Sequence, residues 1–190
     1  MNRGLVIRTT GKKHLVRAGK EIFDCTLKGK FRIQGIRSTN PVAVGDIVEF
    51  EKEEDNTGLI TAICERKNQI LRKSSNLSKE THVIAANIDQ AVIVYTFKDP
   101  HTTTVFLDRL LVAAESYSLP AYIVFNKIDL HSEEETIIIK ELRNLYEKIG
   151  YKTTACSVKE NINLQAVKNI LRDNINVILG HSGAGKSSLI

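Results

Sequence analysis

The final residues of this 190-residue chain combine residue types that can hold a phosphate chain. From Gly180 to Ser187 they follow the spacing G-x-x-x-x-G-K-S. Glycines let such a loop turn its backbone N–H groups inward, and the helix that follows presents the positive end of its dipole. In loops of this kind the lysine, here Lys186, reaches the outer phosphates, and the serine hydroxyl, here of Ser187, ligates Mg²⁺. The predicted phosphate-binding residues are Gly180, His181, Ser182, Gly183, Ala184, Gly185, Lys186, Ser187 and Ser188.

A second polar stretch, Asn126-Lys127-Ile128-Asp129, directly follows an apolar segment. The Asp129 carboxylate can accept hydrogen bonds from both N1–H and the N2 amino group of guanine, an arrangement that adenine cannot satisfy. We expect Asn126 to connect this loop to its neighbours and contact the base, and the Lys127 stem to lie along the base plane. A third stretch, Ser157-Val158-Lys159, resembles the Ser-Ala-Lys motif whose backbone contacts guanine O6. We predict that both stretches bind guanine.

Short apolar segments precede all three motifs and alternate with helical patterns. The segments are residues 91–97, 121–125, 153–156 and 175–179. Alternating strands and helices are typical of an α/β domain with a parallel sheet. Because ligands of such sheets bind at the carboxyl ends of the strands, we expect the three motifs to lie together at one edge.

Three helices are predicted between these strands. The first is capped by Thr102 or Thr103, and the second begins with a capping box of Ser132 and Glu135. Gly150 is expected to end the second helix. The apolar face predicted for this helix consists of Ile138, Leu142, Leu145, Tyr146 and Ile149.

The N-terminal third of the chain has a different pattern. Short β-rich runs occupy residues 5–9, 14–18, 21–27, 31–33, 46–51 and 58–64, with turn residues between them. Such a pattern predicts a small barrel, either an OB-fold or an SH3-like barrel. Phe23 and Phe31 can stack on bases if exposed, or fill the core. The predicted organisation is an OB-fold domain over residues 1–70, a polar linker over 71–89 and an α/β domain over 90–190.

Positive charge is concentrated in the predicted barrel. Residues 1–73 carry 15 Lys and Arg against 9 Asp and Glu, whereas the whole chain has a net charge of only +5. Such a field attracts polyanions, nucleic acid first, although a solvated face that binds nothing is the alternative. The candidate RNA-binding residues are Lys12, Lys13, Lys28, Lys30, Arg32 and Arg37.

Other classes of protein are not indicated. Cys25, Cys64 and Cys156 lie far apart, so neither a disulfide framework nor a zinc knuckle is predicted. The N-terminal residues show no uninterrupted apolar run that could act as a signal peptide, and no later segment approaches the length of a membrane span. We therefore expect a cytoplasmic protein without a membrane partner, and a monomer.

The order of the three motifs carries a family resemblance. Ras-type GTPases have the phosphate loop first, whereas here it follows the Asn-Lys-x-Asp and Ser-Val-Lys stretches, which is a circular permutation. A basic OB-like domain ahead of a permuted GTPase domain resembles the ribosome small-subunit-dependent GTPase A family (RsgA, also called YjeQ). Further similar stretches are residues 25–32, 45–48, 86–89, 107–109 and 185–190. The resemblance covers essentially the whole chain.

This resemblance implies an N-terminal OB-fold barrel followed by a circularly permuted α/β P-loop GTPase domain, truncated after the phosphate loop. It implies a GTPase that uses GTP and Mg²⁺, binds the small ribosomal subunit and its RNA, and acts in late subunit maturation. Family members continue through switch regions with a DxxG motif into a zinc-binding module. We therefore expect a longer protein, with zinc and the water-positioning residue beyond Ile190.

Two other functions remain open from the residues alone. One is a non-catalytic RNA-binding module with a vestigial nucleotide site. The other is an ATP-using P-loop protein, against which the guanine-selective carboxylate of Asp129 argues.

Overall fold

The computed structural model describes residues 2–28, 41–73 and 81–190, and it divides the chain into two compact units, Met1–Ile88 and Asp89–Ile190. The predicted strand over residues 31–33 lies outside the described residues, as does Phe31.

The first unit contains a closed five-stranded barrel. Its strands are β1 (Asn2–Thr10), β2 (Lys13–Ala18), β3 (Glu21–Leu27), β4 (Ile47–Lys52) and β5 (Thr57–Ile63). They pair in the order β1-β2-β3-β5-β4, with β3 and β5 parallel and the other pairs antiparallel. This strand order in a closed five-stranded barrel is that of the OB-fold. Of the two barrels that the sequence predicted, the OB-fold is therefore confirmed.

Every second residue along these strands points inward, and these side chains fill the barrel. Phe23 and Phe50 pack with ring centroids 5.1 Å apart, and both side chains are buried. Gly58 leaves room for Phe50 and Cys25, because a Cβ there would lie 2.9 Å from both the Phe50 ring and the Cys25 sulfur. Phe23 is therefore a core residue and not a platform for stacking bases.

A two-stranded antiparallel sheet follows the barrel, formed by β6 (Gln69–Lys73) and β7 (Thr81–Ala86). Gly45 lies so close to β7 that a Cβ would be 1.9 Å from the Ala86 carbonyl oxygen. The Asn87 amide donates to the Gly45 carbonyl oxygen at 2.9 Å. Much of the segment predicted as a linker thus has regular structure within the first unit, and the units divide between Ile88 and Asp89.

The second unit is an α/β domain. Its elements are β8 (Gln90–Tyr95), α1 (Thr104–Ser116), β9 (Ala121–Phe125), α2 (Glu133–Ile149), β10 (Lys152–Ala155), α3 (Leu164–Leu171) and β11 (Asn176–Leu179). The strands are all parallel and stand in the order β10-β9-β8-β11. The alternation predicted from the sequence is confirmed, and all three motifs follow carboxyl ends of strands in this sheet.

Apolar side chains cover both faces of the sheet. Ile93 and Phe125 belong to the cluster that includes residues of α1 and α2 on one face. Val92 and Val124 pack with Val167 of α3 on the other face. The burial of strand residues on both sides explains why the strands appear in the sequence as continuous apolar runs.

The ends of α2 are as predicted, but its buried face is not. Ser132 and Glu135 form the capping box, and Gly150 follows the helix in the left-handed region at φ 112°. The structure buries Ile139 and Tyr146, whereas Ile138, Leu145 and Ile149 are 48%, 52% and 61% exposed. The prediction was wrong for these three residues.

The buried face of α2 was predicted wrongly because the helix carries two overlapping apolar stripes, and the spacing of its residues does not show which stripe faces the core. In the observed rotation the Tyr146 ring is buried while its hydroxyl donates to Asp108 Oδ1 of α1 at 2.7 Å. Burying a tyrosine requires such a partner for its hydroxyl, which hydrophobic spacing alone does not reveal. Within the described ranges, no helix has the length and apolar character required to cross a lipid bilayer.

Candidate nucleotide-binding site

The phosphate loop begins where β11 ends and passes very close to two other elements. Gly180 has a φ of 142°, and a Cβ on it would lie 2.5 Å from the Val94 carbonyl oxygen of β8. Gly185 has a φ of 91°, and a Cβ there would lie 2.4 Å from Asn126 Nδ2. Only glycine satisfies both the backbone conformation and the space at these two positions.

Lys186 is held by the loop that contains it. Its ammonium group donates to the carbonyl oxygens of Gly180 at 2.9 Å and His181 at 2.6 Å. An ammonium group has three donors, so one remains for a phosphate oxygen. These two hydrogen bonds hold the positive charge in a defined position within the loop.

The Ser187 hydroxyl is suited to a hard cation. Ser187 lies in the short 3₁₀ turn Lys186–Ser188, is exposed, and donates to no described residue. Mg²⁺ prefers oxygen ligands and usually retains several waters, so one protein hydroxyl beside a phosphate chain fits its chemistry. Ser187 is therefore the candidate Mg²⁺ ligand of this loop.

Asn126 connects the loop after β9 to the phosphate loop. The side chain is buried, and Nδ2 donates to the Ala184 carbonyl oxygen at 2.9 Å. The Asn126 Oδ1 atom accepts a hydrogen bond from the Cys156 thiol, with the sulfur 3.5 Å away. Burial raises the pKa of this thiol to about 11, so it remains a neutral donor. The sequence gives no signal for the role of Cys156.

Asp129 is oriented by Ser157. The Ser157 side chain is buried, and its Oγ donates to Asp129 Oδ1 at 2.5 Å and accepts from the Glu160 N–H at 3.1 Å. This contact joins the second and third motifs. It restrains the orientation of the Asp129 carboxylate, on which bidentate recognition of a base depends.

Lys127 extends the site toward the loop after β8. Its backbone is in the left-handed region at φ 63°. Its ammonium group donates to the Asp99 carbonyl oxygen. Lys127 also lines the cavity that the motifs form.

The motifs share one cavity of about 290 Å³. Its lining residues are Asn126, Lys127, Asp129, Leu130, Val158, Lys159, Gly185 and Ser188. A larger cavity of about 600 Å³ is lined by residues such as Gln90, Tyr122 and Lys152, near the amino ends of the strands. The smaller cavity is the candidate nucleotide site, because ligands of parallel sheets bind at the carboxyl ends of the strands.

The candidate RNA-binding residues of the barrel differ in their pairing. Lys12 is exposed in the turn between β1 and β2, whereas Lys13 pairs with Asp24 at 3.1 Å and Lys28 with Glu51 at 4.0 Å. Lys30, Arg32 and Arg37 lie outside the described residues. Three further cations of the same basic stretch were not among the RNA-binding candidates but are exposed and have no ion pair among the described residues, namely Arg8, Arg17 and Lys20.

The fold and the order of the loops define the class. A parallel sheet carries an Asn-Lys-x-Asp loop first and a phosphate loop last, with both loops at one cavity. This is the arrangement of a circularly permuted GTPase domain preceded by an OB-fold.

The family model described as RsgA GTPase matches residues 63–190, and the one described as RsgA N-terminal domain matches residues 3–60. The chain belongs to the RsgA family.

Named relatives and solved structures agree with this assignment. The chain is 50% identical over 193 residues to the small ribosomal subunit biogenesis GTPase RsgA of Christiangramia forsetii, and 47% identical over 189 residues to RsgA 2 of Bacteroides thetaiotaomicron. The match spans 99% of this chain and 61% of each relative.

The crystal structure of YjeQ from Thermotoga maritima has a TM-score of 0.84 at 33% identity, over 99% of this chain and 63% of that one. The structure of YloQ, described as a circularly permuted GTPase, has a TM-score of 0.77 at 30% identity, over 99% and 62% of the two chains. The chain thus spans about three fifths of the length of the relatives it matches.

Proposed function

We propose that this protein is a GTPase that binds the small ribosomal subunit and hydrolyses GTP during late maturation of that subunit. The observation that carries the proposal is the shared cavity in which Asp129, oriented by Ser157, lies beside the phosphate loop. The names of the relatives, small ribosomal subunit biogenesis GTPases, support the ribosomal assignment.

Guanine would bind between Lys127 and the stretch from Ser157 to Lys159. Asp129 accepts from N1–H and N2 of the base, and Asn126 keeps the base-binding loop against the phosphate loop. Adenine presents no matching pair of donors, so the ATP-using alternative is disfavoured.

Lys186 and a Mg²⁺ held by Ser187 would supply positive charge at the phosphates. The metal ion, when bound, neutralises charge on the phosphate oxygens. Phosphoryl transfer is catalysed mainly by positioning and electrostatic stabilisation, and the residues named here orient the nucleotide for it. We assign the positioning of the attacking water to none of the described residues.

The barrel would contact ribosomal RNA. OB-folds bind oligonucleotides, and four exposed cations of this barrel, Arg8, Lys12, Arg17 and Lys20, are not neutralised by an ion pair with any described residue. We further propose a cytoplasmic monomer, and zinc only in the module that family members carry after the region matching Ile190.

Nucleotide competition combined with subunit stimulation tests this function. A fluorescent GDP analogue should bind the protein, be displaced by GTP and resist ATP, and Lys186→Ala should abolish binding. Small ribosomal subunits should increase GTP hydrolysis. Equal displacement by ATP would favour a different P-loop enzyme, and RNA binding without nucleotide binding would favour the vestigial site.

A further inference from the structure

An aromatic contact on the phosphate loop lies outside the nucleotide-binding motifs. The Phe106 ring, in the first turn of α1, stacks on the His181 imidazole with centroids 3.9 Å apart and planes inclined by 17°. Both side chains are half-buried. The contact joins the start of α1 to the second residue of the phosphate loop.

The helix cap determines where the Phe106 ring lies. The Phe106 N–H donates to the side-chain oxygen of Thr103 at 3.2 Å, and Thr103 is the N-cap of α1. Leu107, the next residue, is fully buried in the sheet-facing core. The backbone that carries Phe106 is therefore fixed on both sides.

His181 connects this stack to the lysine that would contact phosphate. The His181 carbonyl oxygen accepts from Lys186 Nζ at 2.6 Å and from the Ala184 N–H at 3.3 Å. A change in the position of His181 would move one of the two carbonyl groups that orient the ammonium group. The stack is thus connected, through the His181 carbonyl group, to the lysine of the phosphate loop.

We propose that Phe106 is a positioning residue for the outer phosphates, acting through His181 on Lys186. The inference rests on the proposed guanine-nucleotide site. It predicts that loss of the stack weakens binding of a diphosphate and leaves binding of a monophosphate unchanged, because the lysine of such a loop reaches the β- and γ-phosphates. If Phe106 only filled space, its loss would not distinguish the diphosphate from the monophosphate.

The test uses the full-length protein with GDP and GMP as probes. Phe106→Ala should raise the Kd for GDP about three- to tenfold, the range expected for loss of one aromatic stack. Phe106→Tyr keeps the ring and should bind GDP as the unmodified protein does. Val105→Ala is the matched control, because Val105 lies in the same helical turn and is 58% exposed. None of the three variants should change the Kd for GMP.

A double-mutant cycle adds an independent readout. If the two rings act on each other, Phe106→Ala combined with His181→Ala should weaken GDP binding no more than the stronger single change. Additive losses would overturn the inference. So would a loss of GMP affinity equal to the loss of GDP affinity in Phe106→Ala, or weakened GDP binding by Phe106→Tyr. If the unmodified protein bound no GDP, the proposed function itself would fail, which is a separable result.

Discussion

Asn126 Nδ2 donates a hydrogen bond to the Ala184 carbonyl oxygen at 2.9 Å, so a residue after β9 supports the backbone of a loop after β11. Gly185, the next residue of that loop, comes so close that a Cβ would meet the same Nδ2 atom at 2.4 Å. The base-binding and phosphate-binding loops are thus joined through space, which makes their order along the chain unimportant for the site.

Asn126→Ala should weaken nucleotide binding by about tenfold. The substitution leaves the Ala184 carbonyl oxygen without its buried partner, at a cost of about 1–3 kcal/mol. Titration with a fluorescent GDP analogue measures the change. Asn144→Ala is the control, since Asn144 is exposed on α2. Unchanged GDP affinity in Asn126→Ala would show that the hydrogen bond does not support the loop.

Gly185→Ala should abolish GDP binding, because the new methyl group displaces Asn126 and strains a backbone at φ 91°. Gly150→Ala separates these two causes. Gly150 has a φ of 112°, but a Cβ on it would meet nothing within 4 Å. That variant should lose stability from backbone strain, about 1 kcal/mol, and keep its GDP affinity. Calorimetry with GDP distinguishes the variants, and normal binding by Gly185→Ala would contradict the account.

Arg66→Ala should strongly destabilise the first unit. The Arg66 guanidinium donates to both oxygens of the fully buried Asp46 carboxylate, at 2.7 and 2.8 Å, and also to the Pro41 carbonyl oxygen at 2.8 Å. Removing one partner of a buried pair leaves an uncompensated charge and costs about 3–5 kcal/mol.

The control for this variant is Arg3→Ala. The ion pair of Arg3 with Glu49 is 3.0 Å long, but 71% of the arginine side chain is exposed. Exposed pairs contribute at most about 1 kcal/mol. Hydrogen exchange of the barrel amides reports the two effects separately from the second unit. Equal losses in the two variants would refute the importance of the Arg66–Asp46 pair.

Stability should fall as the pH drops below about 6.5, the ordinary pKa of histidine. His14 is fully buried in the barrel, and neither ring nitrogen has a hydrogen-bond partner among the described residues. Burial lowers the pKa of His14, against a smaller opposite effect of Asp24. The unfolded chain therefore takes up a proton at a pH where folded His14 does not, and the folded state loses stability.

Urea unfolding at pH 7.5 and 5.5 tests this dependence. His14→Leu should reduce the loss between the two pH values without removing it, because burial also lowers the pKa of His131 in the second unit. A His14→Leu protein with the full pH dependence would contradict the role of His14.

The sequence predicted those features that follow from local chemistry and strand alternation. The loops at Asn126, Ser157 and Gly180 each follow a strand, and the rule that parallel strands end at one edge sufficed to bring them together. The buried face of α2 required knowledge of the Tyr146 hydroxyl and its partner Asp108. That contact joins two helices and leaves no trace in hydrophobic spacing.

Contacts between residues that are distant in the sequence could not be predicted either. The basic residues of the barrel have the same charge in the sequence, but Lys13 and Lys28 are paired with carboxylates, whereas Lys12 is paired with no carboxylate in the part of the chain that the structure describes. The stack of Phe106 on His181 joins residues from opposite ends of the second unit. No pattern of spacing predicts such a contact, because it depends on the packed positions of α1 and β11.

Nucleotide selectivity of an Asp129→Asn variant tests the central claim most directly. The carboxylate accepts two hydrogen bonds from guanine, whereas an asparagine amide at this position can donate to the 2-oxo group of xanthine. In Asp129→Asn the Kd for GDP should rise about tenfold or more, which corresponds to about 1.4 kcal/mol or more of lost binding free energy, and the Kd for xanthosine diphosphate should fall. Equal GDP binding before and after the substitution would contradict the assignment of Asp129 as the base-reading residue.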